Sequence, residues 1–442
     1  MRIRLETLGC RLNTSEMEQL ARQLRAAGHE VTDADGPCDV CVLNTCAVTH
    51  LAERKSRQLI RRLQQMHPHA LLVVTGCYAE LAPTQLRTMG VPLVVGNRQK
   101  EHLMEIIAQE MGLPQVSPKQ PSICSRGLRT RAFVKIQDGC DNACTFCVVR
   151  LARGKGRSRP PEEVVQEVQQ LVRAGYREVV LSGVHLGAYG HDWGDRLSLF
   201  HLVRRLLEET DLARLRLSSL EPWDIIPEFF TLWEDRRLAR HLHLPLQSGC
   251  DATLRRMARR TTTQSFAQLV AEARAVIPDL AVTTDIMVGF PGESEAEFAE
   301  SLAFVEAMQF ARLHIFRYSP RPGTQAATMP DQVPPAVVTE RARKMHILGA
   351  KLERSFRRQF VGRTMDVLWE TIQRTIQGTR LWSGLTDNYL RVITWSPADL
   401  HNVITPTRLI ADTDDGLLGE VEYSHPDERA LLVSCPRLQE NG

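Results

Sequence analysis

Short apolar runs alternate with amphipathic helical stretches over residues 1–112. The runs predict strands at Ile3–Leu8, Asp39–Asn44, Leu71–Thr75 and Leu93–Val95. The first helical stretch carries Ser15-Glu16-Met17-Glu18, which fits a capping box, and closes near Gly28. Repeated β-α-β units of this kind predict an open parallel α/β domain. Residues 113–125 are rich in Pro and Ser and read as a linker. A second β-α series occupies 126–356. Its predicted strands are Ala132–Gln137, Glu178–Leu181, Leu215–Ser218, His241–Leu246, Val282–Val288 and Arg312–Arg317. Helical patterns such as Pro161–Arg173 and Glu295–Met308 separate them, and Pro335–Phe360 ends the series. Six such units predict a partial (β/α)6 barrel. From Gly362 the pattern shortens to strands at Asp366–Thr371, Arg380–Leu385, Tyr389–Thr394, Val403–Ala411 and Leu417–Tyr423. That spacing predicts a small antiparallel β-barrel over 360–436. The fold class is therefore α/β with an all-β appendage.

The length, 442 residues, agrees with three domains. With 43% hydrophobic and 24% charged residues the chain can bury real cores, which excludes a mainly disordered or fibrous protein. The balance of 55 basic and 52 acidic residues leaves +3, so any basic surface must be local. No apolar run reaches the roughly 18 residues of a membrane span. The start, MRIRLETLGCRLN, has charge within six residues and no apolar core, so no secretory signal is expected. Eleven cysteines, an odd and sparse set, fit reduced cytoplasmic thiols, and their clusters point to metal rather than disulfides.

Cys140, Cys144 and Cys147 lie within eight residues in a C-x3-C-x2-C spacing, just after the first strand of the second series. Three packed thiolates suit an iron–sulfur cluster with one iron free of protein sulfur. A structural zinc site wants four ligands, and the nearest other candidate, Asp141, lies poorly placed inside the loop. A zinc loop completed from elsewhere is the alternative. Cys10, Cys46 and Cys77 each follow a predicted strand of the first domain, where strands hand over to helices. The carboxyl ends of strands in an open α/β sheet form its ligand crevice, so these three thiols should meet there. Singly, each would read as a small buried hydrophobe. Cys38, Cys41, Cys124, Cys250 and Cys435 read as structural.

The C-x3-C-x2-C loop at the head of a partial barrel resembles the radical S-adenosylmethionine superfamily. With the second triad, it resembles the methylthiotransferases within it. The similarity extends to Gly9–Asn13, Asn44–Thr49, Thr75–Ala79, Ser182–Gly190, His243–Gly249, Asp285–Glu293 and Tyr318–Thr324. The resemblance implies two [4Fe–4S] clusters and S-adenosyl-L-methionine. Cys140, Cys144 and Cys147 would hold the cluster that cleaves this cofactor. Cys10, Cys46 and Cys77 would hold the cluster that carries or delivers sulfur. It implies Gly183 near the methionyl amine, Ser219 and Glu221 near the ribose or carboxylate, and Ile286 to Gly289 near adenine, with Gln247 on the same face. The C-terminal barrel is similar to the RNA-binding TRAM domain. Arg11, His185 with Gly187, and Tyr318–Thr324 are closest to the branch acting on N6-threonylcarbamoyladenosine in tRNA. Arg150 departs from the proline usual after the cluster loop. The implied partners are that tRNA, an electron donor such as flavodoxin or ferredoxin, and a sulfur donor, with no membrane. Isopentenyladenosine in tRNA, or an aspartate of a ribosomal protein, is the rival substrate. A zinc-dependent RNA-binding protein without catalysis is the rival class.

Residues 126–159 hold nine basic side chains (Arg126, Arg129, Arg131, Lys135, Arg150, Arg153, Lys155, Arg157, Arg159) against Asp138 and Asp141. Such a run suits phosphate contact, and Arg153, Lys155, Arg157 and Arg159 are the candidate RNA-binding residues. A solvated loop would read the same way. Trp382 and Tyr389 are candidates for stacking on a base or sugar, unless they fill the small barrel's core.

Overall fold

The computed structural model describes residues 1–32, 36–112, 130–194 and 198–422. The predicted linker, with Cys124, Arg126, Arg129 and Cys435, lies outside the described residues. No helix among them is long and apolar enough to cross a membrane.

The first sheet has five parallel strands in the order Glu30–Thr32, Arg2–Thr7, Val40–Thr45, Leu71–Gly76, Leu93–Val95. The two central strands are buried almost throughout, because helices cover both faces. The edge strand Glu30–Thr32, only three residues long, is too short to leave a periodic signal. The helix Arg11–Ala26 starts directly after Cys10, four residues ahead of the predicted capping box. Ser15 is not a cap: its hydroxyl is buried and donates to the Phe133 carbonyl (2.9 Å), across to the second series.

The second series forms two three-stranded parallel sheets. One runs Arg214–Leu217, Glu178–Ser182, Arg131–Lys135; the other runs His241–His243, Ala281–Val288, Arg312–Arg317. A bridge between Ser219 and His243, with the Leu220 N–H donating to the His243 carbonyl at 3.0 Å, joins them into one curved wall. The helices Pro161–Arg173, Leu199–Glu209, Thr263–Val276, Glu295–Ala307 and Pro335–Arg358 pack outside it. Val168, Leu202, Phe266 and Phe298 lie between the layers, almost fully buried.

The C-terminal strands close into a barrel in the order Thr364–Ile376, Thr379–Thr386, Arg391–Ser396, Gly416–Val421, Ile404–Thr413. All neighbours are antiparallel except Arg391–Ser396 with Gly416–Val421, which run parallel over two residue pairs. Trp382 is 1% exposed inside this barrel and its Nε1 donates to the Ala398 carbonyl. It fills the core and is not free to stack on a base.

The barrel is seated on the amino ends of the core strands. Glu178 is fully buried and receives Arg216 at 2.7 Å and Arg214 at 3.4 Å. The same guanidiniums donate to main-chain carbonyls of the barrel: Arg216 to Asp387 and Thr386, Arg214 to Leu385 and Asp366. Burial pushes the Glu178 carboxyl up, but Arg216 and Arg214 outweigh it and hold it at about 2. Removing the carboxylate strands two buried cations. Glu178→Gln should therefore cost roughly 3–5 kcal/mol. Differential scanning calorimetry should show that loss, and limited proteolysis should release the 360–422 segment faster than from the parent.

Candidate active site between the domains

In the first sheet Cys10 precedes the helix Arg11–Ala26, Cys46 follows the strand Val40–Thr45, and Cys77 opens the helix Cys77–Leu81. The chain turns tightly to bring them together. Gly9 has φ +115°, and a Cβ there would lie 2.7 Å from the Cβ of Cys46. All three thiols line one cavity of about 600 Å³. Burial, then the neighbouring Cys77 and Cys10, pushes the Cys46 thiol up to about 11. The Cys10 thiol is also raised, by burial first.

The second triad sits on the loop after Gln137–Asp138. Cys140 Sγ is 3.9 Å from Nδ1 of His185, whose Nε2 meets Asp224 at 2.5 Å. Arg259 reaches Cys144 Sγ at 3.7 Å, pairs with Glu221 at 2.6 Å and covers the Trp223 ring. Burial, with Cys144 and Cys140 adding, pushes the Cys147 thiol up to about 12. Cys147 lines a smaller cavity of about 150 Å³ with Phe146, Gln247, Met287 and Tyr318. The two cavities adjoin, sharing Val48, Asp285 and Phe316 as walls.

A buried charge cluster locks the first domain to the second. Arg153, 3% exposed, donates to Glu16 and Asp138 at 2.9 Å each and to Asn13 at 2.7 Å. Glu16 also receives Lys100 at 2.5 Å and Lys135 at 3.5 Å. Burial alone would raise the Glu16 carboxyl, but Lys100, Arg153 and Lys135 hold it well below the usual range. Arg153 is therefore not a surface phosphate contact, as its place in a basic run suggested. Arg159 is also committed, to Glu167 at 2.7 Å and the Lys135 carbonyl. Lys155 and Arg157 remain exposed, as does Arg150.

Of the residues expected near the cofactor, Gly183 and Ser219 line the larger cavity beside Ser182 and Ser218. The hydroxyls of Ser182 and Ser218 are buried without a hydrogen-bond partner. Gln247 lines the smaller cavity, in left-handed backbone at φ +75°. Glu221 is taken by Arg259. Ile286 is fully buried in the core; the residues of its strand that reach the cavities are Thr283, Asp285 and Met287. Gly289 accommodates the helix Pro335–Arg358, since a Cβ there would meet Val338 at 2.4 Å. His243 and Asp285, known from the sequence only as the starts of two motifs, line the larger cavity together with His241, Arg312 and His314, none of which carried a site role in the sequence. Their signal was present as polar residues at every second position of otherwise apolar strands, the mark of a polar barrel interior.

Residues 2–96 match the profile described as Uncharacterized protein family UPF0004, and residues 134–305 match the Radical SAM superfamily. The chain is 37% identical to the threonylcarbamoyladenosine tRNA methylthiotransferase MtaB of Bacillus subtilis, over 92% of this chain and 93% of that one. It is 38% identical to the Thermotoga maritima protein of the same name, over 85% and 88%. The chain belongs to the radical S-adenosylmethionine methylthiotransferase family. A third relative is the tRNA-2-methylthio-N(6)-dimethylallyladenosine synthase of Acidothermus cellulolyticus, 37% identical over 82% of this chain and 76% of that protein. Among solved structures, the radical S-adenosylmethionine methyltransferase TsrM of Kitasatospora setae, with tryptophan and aza-SAM bound, shares the fold. Its TM-score is 0.56 at 16% identity, over 74% of this chain and 75% of that one.

Radical SAM membership implies S-adenosylmethionine and an iron–sulfur cluster. The donor set fits both. Burial raises the Cys46, Cys144 and Cys147 thiols, which become thiolates readily only when a metal takes up their charge. The partnerless serine hydroxyls at the strand ends suit a polar ligand.

Because Arg153 and its neighbours depress Glu16, that carboxylate stabilises the fold above its unfolded pKa, near 4, and the contribution is lost as pH falls through the lower folded value. Arg153→Met raises the folded pKa of Glu16 and leaves it short of a partner. Its acid unfolding midpoint should move to higher pH, and at neutral pH it should lose roughly 3–5 kcal/mol in urea melts.

Proposed function

We propose that this chain is a tRNA methylthiotransferase that replaces the C2 hydrogen of N6-threonylcarbamoyladenosine, 3′ of the anticodon, with a methylthio group. The observation that carries this reading is the cavity fronted by Cys10, Cys46 and Cys77, which shares three walls with a smaller cavity lined by Cys147 of the second triad. The B. subtilis and T. maritima relatives of that name, aligned over most of both chains, support the substrate. The dimethylallyladenosine reading has relatives too, but its apolar substituent suits the imidazole- and guanidinium-lined cavity less well. Against the zinc reading stands the match of residues 134–305 to the Radical SAM superfamily.

In this reading Cys140, Cys144 and Cys147 hold the [4Fe–4S] cluster beside S-adenosylmethionine, and Cys10, Cys46 and Cys77 hold a second. The bound cofactors supply a 5′-deoxyadenosyl radical, sulfur and a methyl group. The chain's own residues orient and exclude. Arg259 and His185 reach Cys144 and Cys140 through one hydrogen bond each, positioned to offset thiolate charge. Ser182, Gly183, Ser218 and Ser219 offer the strand-end face to a polar ligand. Residues 1–112, 126–356 and 360–436 serve as the auxiliary-cluster domain, the radical core and a TRAM-like RNA grip. Lys155 and Arg157 meet phosphate. An anticodon loop presents an unstacked adenine, which a recessed site requires. An electron donor such as flavodoxin or ferredoxin, a sulfur donor and a cytoplasmic location complete the reading.

Anaerobically reconstituted protein should bind about eight irons per chain. Cys144→Ala and Cys46→Ala should each bind about four. Cys46→Ala should still form 5′-deoxyadenosine with dithionite but insert no sulfur, whereas Cys144→Ala should form none. Full iron in Cys46→Ala, or 5′-deoxyadenosine from Cys144→Ala, would contradict the division of labour.

A further inference from the structure

One wall of the larger cavity has no part in holding thiols. Arg11 enters it from the first domain, Arg312 and His314 from the strand Arg312–Arg317, and His241 and His243 from the strand His241–His243 on the far side of Ala281–Val288. Tyr389, from the C-terminal barrel, closes it. Three domains thus build this wall, and its charge is unbalanced. Asp285 is the one carboxylate among the residues lining the cavity, and His243 Nε2 already meets it at 3.3 Å. Neither Arg11 nor Arg312 pairs with a carboxylate among the described residues. Arg312 also lines a neighbouring cavity with Glu353, Asp414 and Asp415, without an ion pair to them.

Arg11 is held in place rather than used up. Its Nη2 donates to the Tyr389 hydroxyl at 2.6 Å, and the guanidinium lies over the Tyr389 ring, 5.4 Å from its centre. Arg131 donates to the same hydroxyl at 3.2 Å, and the ring stacks on His241 at 4.7 Å. A guanidinium has five N–H donors in a planar fork, so most of Arg11's remain free. The Nδ1 atom of His241 is buried without a partner. Burial, then His243, Arg312 and Arg11, keep His314 neutral, with its pKa lowered to about 4. The wall therefore carries uncompensated positive charge and idle donors, beside the Cys10, Cys46 and Cys77 thiols.

We propose that Arg11 and Arg312 receive the carboxylate of the threonylcarbamoyl group, so that this wall reads the substituent on N6 of the adenine. The assignment rests on the substrate proposed above. On a purine ring, N1 and C6 separate C2 from the N6 substituent. A base with C2 towards the thiols must project that arm deeper along the same cavity. A volume of about 600 Å³ is within the range that holds a base with its side arm. A carboxylate in a guanidinium fork forms charge-assisted, directional bonds. An apolar arm in its place would desolvate the arginines without replacing their water, which is how a polar pocket rejects an isostere. Tyr389 and His241 act as positioning residues for Arg11.

The test is a cycle between protein and substrate. Anticodon stem-loop RNA is prepared with N6-threonylcarbamoyladenosine, and again with its threonyl carboxylate as the methyl ester. For the parent protein, KM for methylthiolation should rise roughly 10- to 100-fold on the ester. Arg11→Gln and Arg312→Gln should raise KM on the acid by a similar factor yet treat acid and ester almost alike. Arg11→Lys should recover part of the preference. Arg312→Gln disturbs no hydrogen bond among the described residues, so it decides the matter if Arg11→Gln loosens Tyr389. Iron content and melting temperature check that each variant is folded. If both glutamine variants keep the parent's preference for the acid, the assignment is wrong while the substrate reading stands. If the parent does not methylthiolate the acid at all, the substrate reading fails and the assignment falls with it.

Discussion

The contact between Glu16 and Arg153 is the constraint on which the site depends. The two thiol triads belong to separately wound α/β units, and nothing in either sheet dictates how the units face each other. Glu16 lies on the first helix of one unit, and Arg153 follows the cluster loop of the other. At 2.9 Å, with an effective dielectric constant near 20, their attraction is roughly 6 kcal/mol before desolvation. Desolvation removes much of that, so the pair adds more to geometry than to net stability. What it excludes is any docking that leaves either charge buried alone. Lys100, Lys135, Asp138 and Asn13 extend the pairing to both sides of the interface. The cavity exists because this interface has one low-energy register.

The β-barrel enters the site by the same kind of reasoning. The curved wall of the second series presents a polar interior, with Arg214, Arg216 and Glu178 at its amino end. Those groups need partners, and the barrel's carbonyls from Leu385 to Asp387 supply them. Tyr389, at φ +70°, then projects its ring against His241 and its hydroxyl between Arg11 and Arg131. A domain that reads as a detachable RNA grip thus also closes the floor of the cavity.

Much of this was legible in the sequence. Strand-end cysteines are fixed by backbone topology, so the apolar runs before them were enough to place Cys10, Cys46 and Cys77. The order of sheets followed from the same runs. What stayed hidden depends on direction rather than position. Arg153 and Arg157 belong to one basic run, yet one is buried between domains and the other faces solvent. A count of charge along the chain cannot separate them. Ser15 and Glu18 fit a capping box, but both side chains bond the Phe133 main chain of the other domain. The row Arg312, His314, Phe316 could have been found by alternation, because alternate residues of a strand share a face. Trp382 and Tyr389 looked equivalent as aromatics; the barrel's interior took one and a left-handed turn exposed the other to the core.

The central claim is that both triads serve one reaction on one modified adenosine. Mass spectrometry of nucleosides from total tRNA, compared between cells with and without the gene, tests it most directly. Loss of the gene should abolish 2-methylthio-N6-threonylcarbamoyladenosine and leave its unthiolated precursor in its place, with methylthiolated isopentenyladenosine unchanged. Restoring a Cys46→Ala copy should not bring the product back. Persistence of the methylthiolated threonylcarbamoyl nucleoside without the gene, where no second enzyme of this family is encoded, would contradict the account.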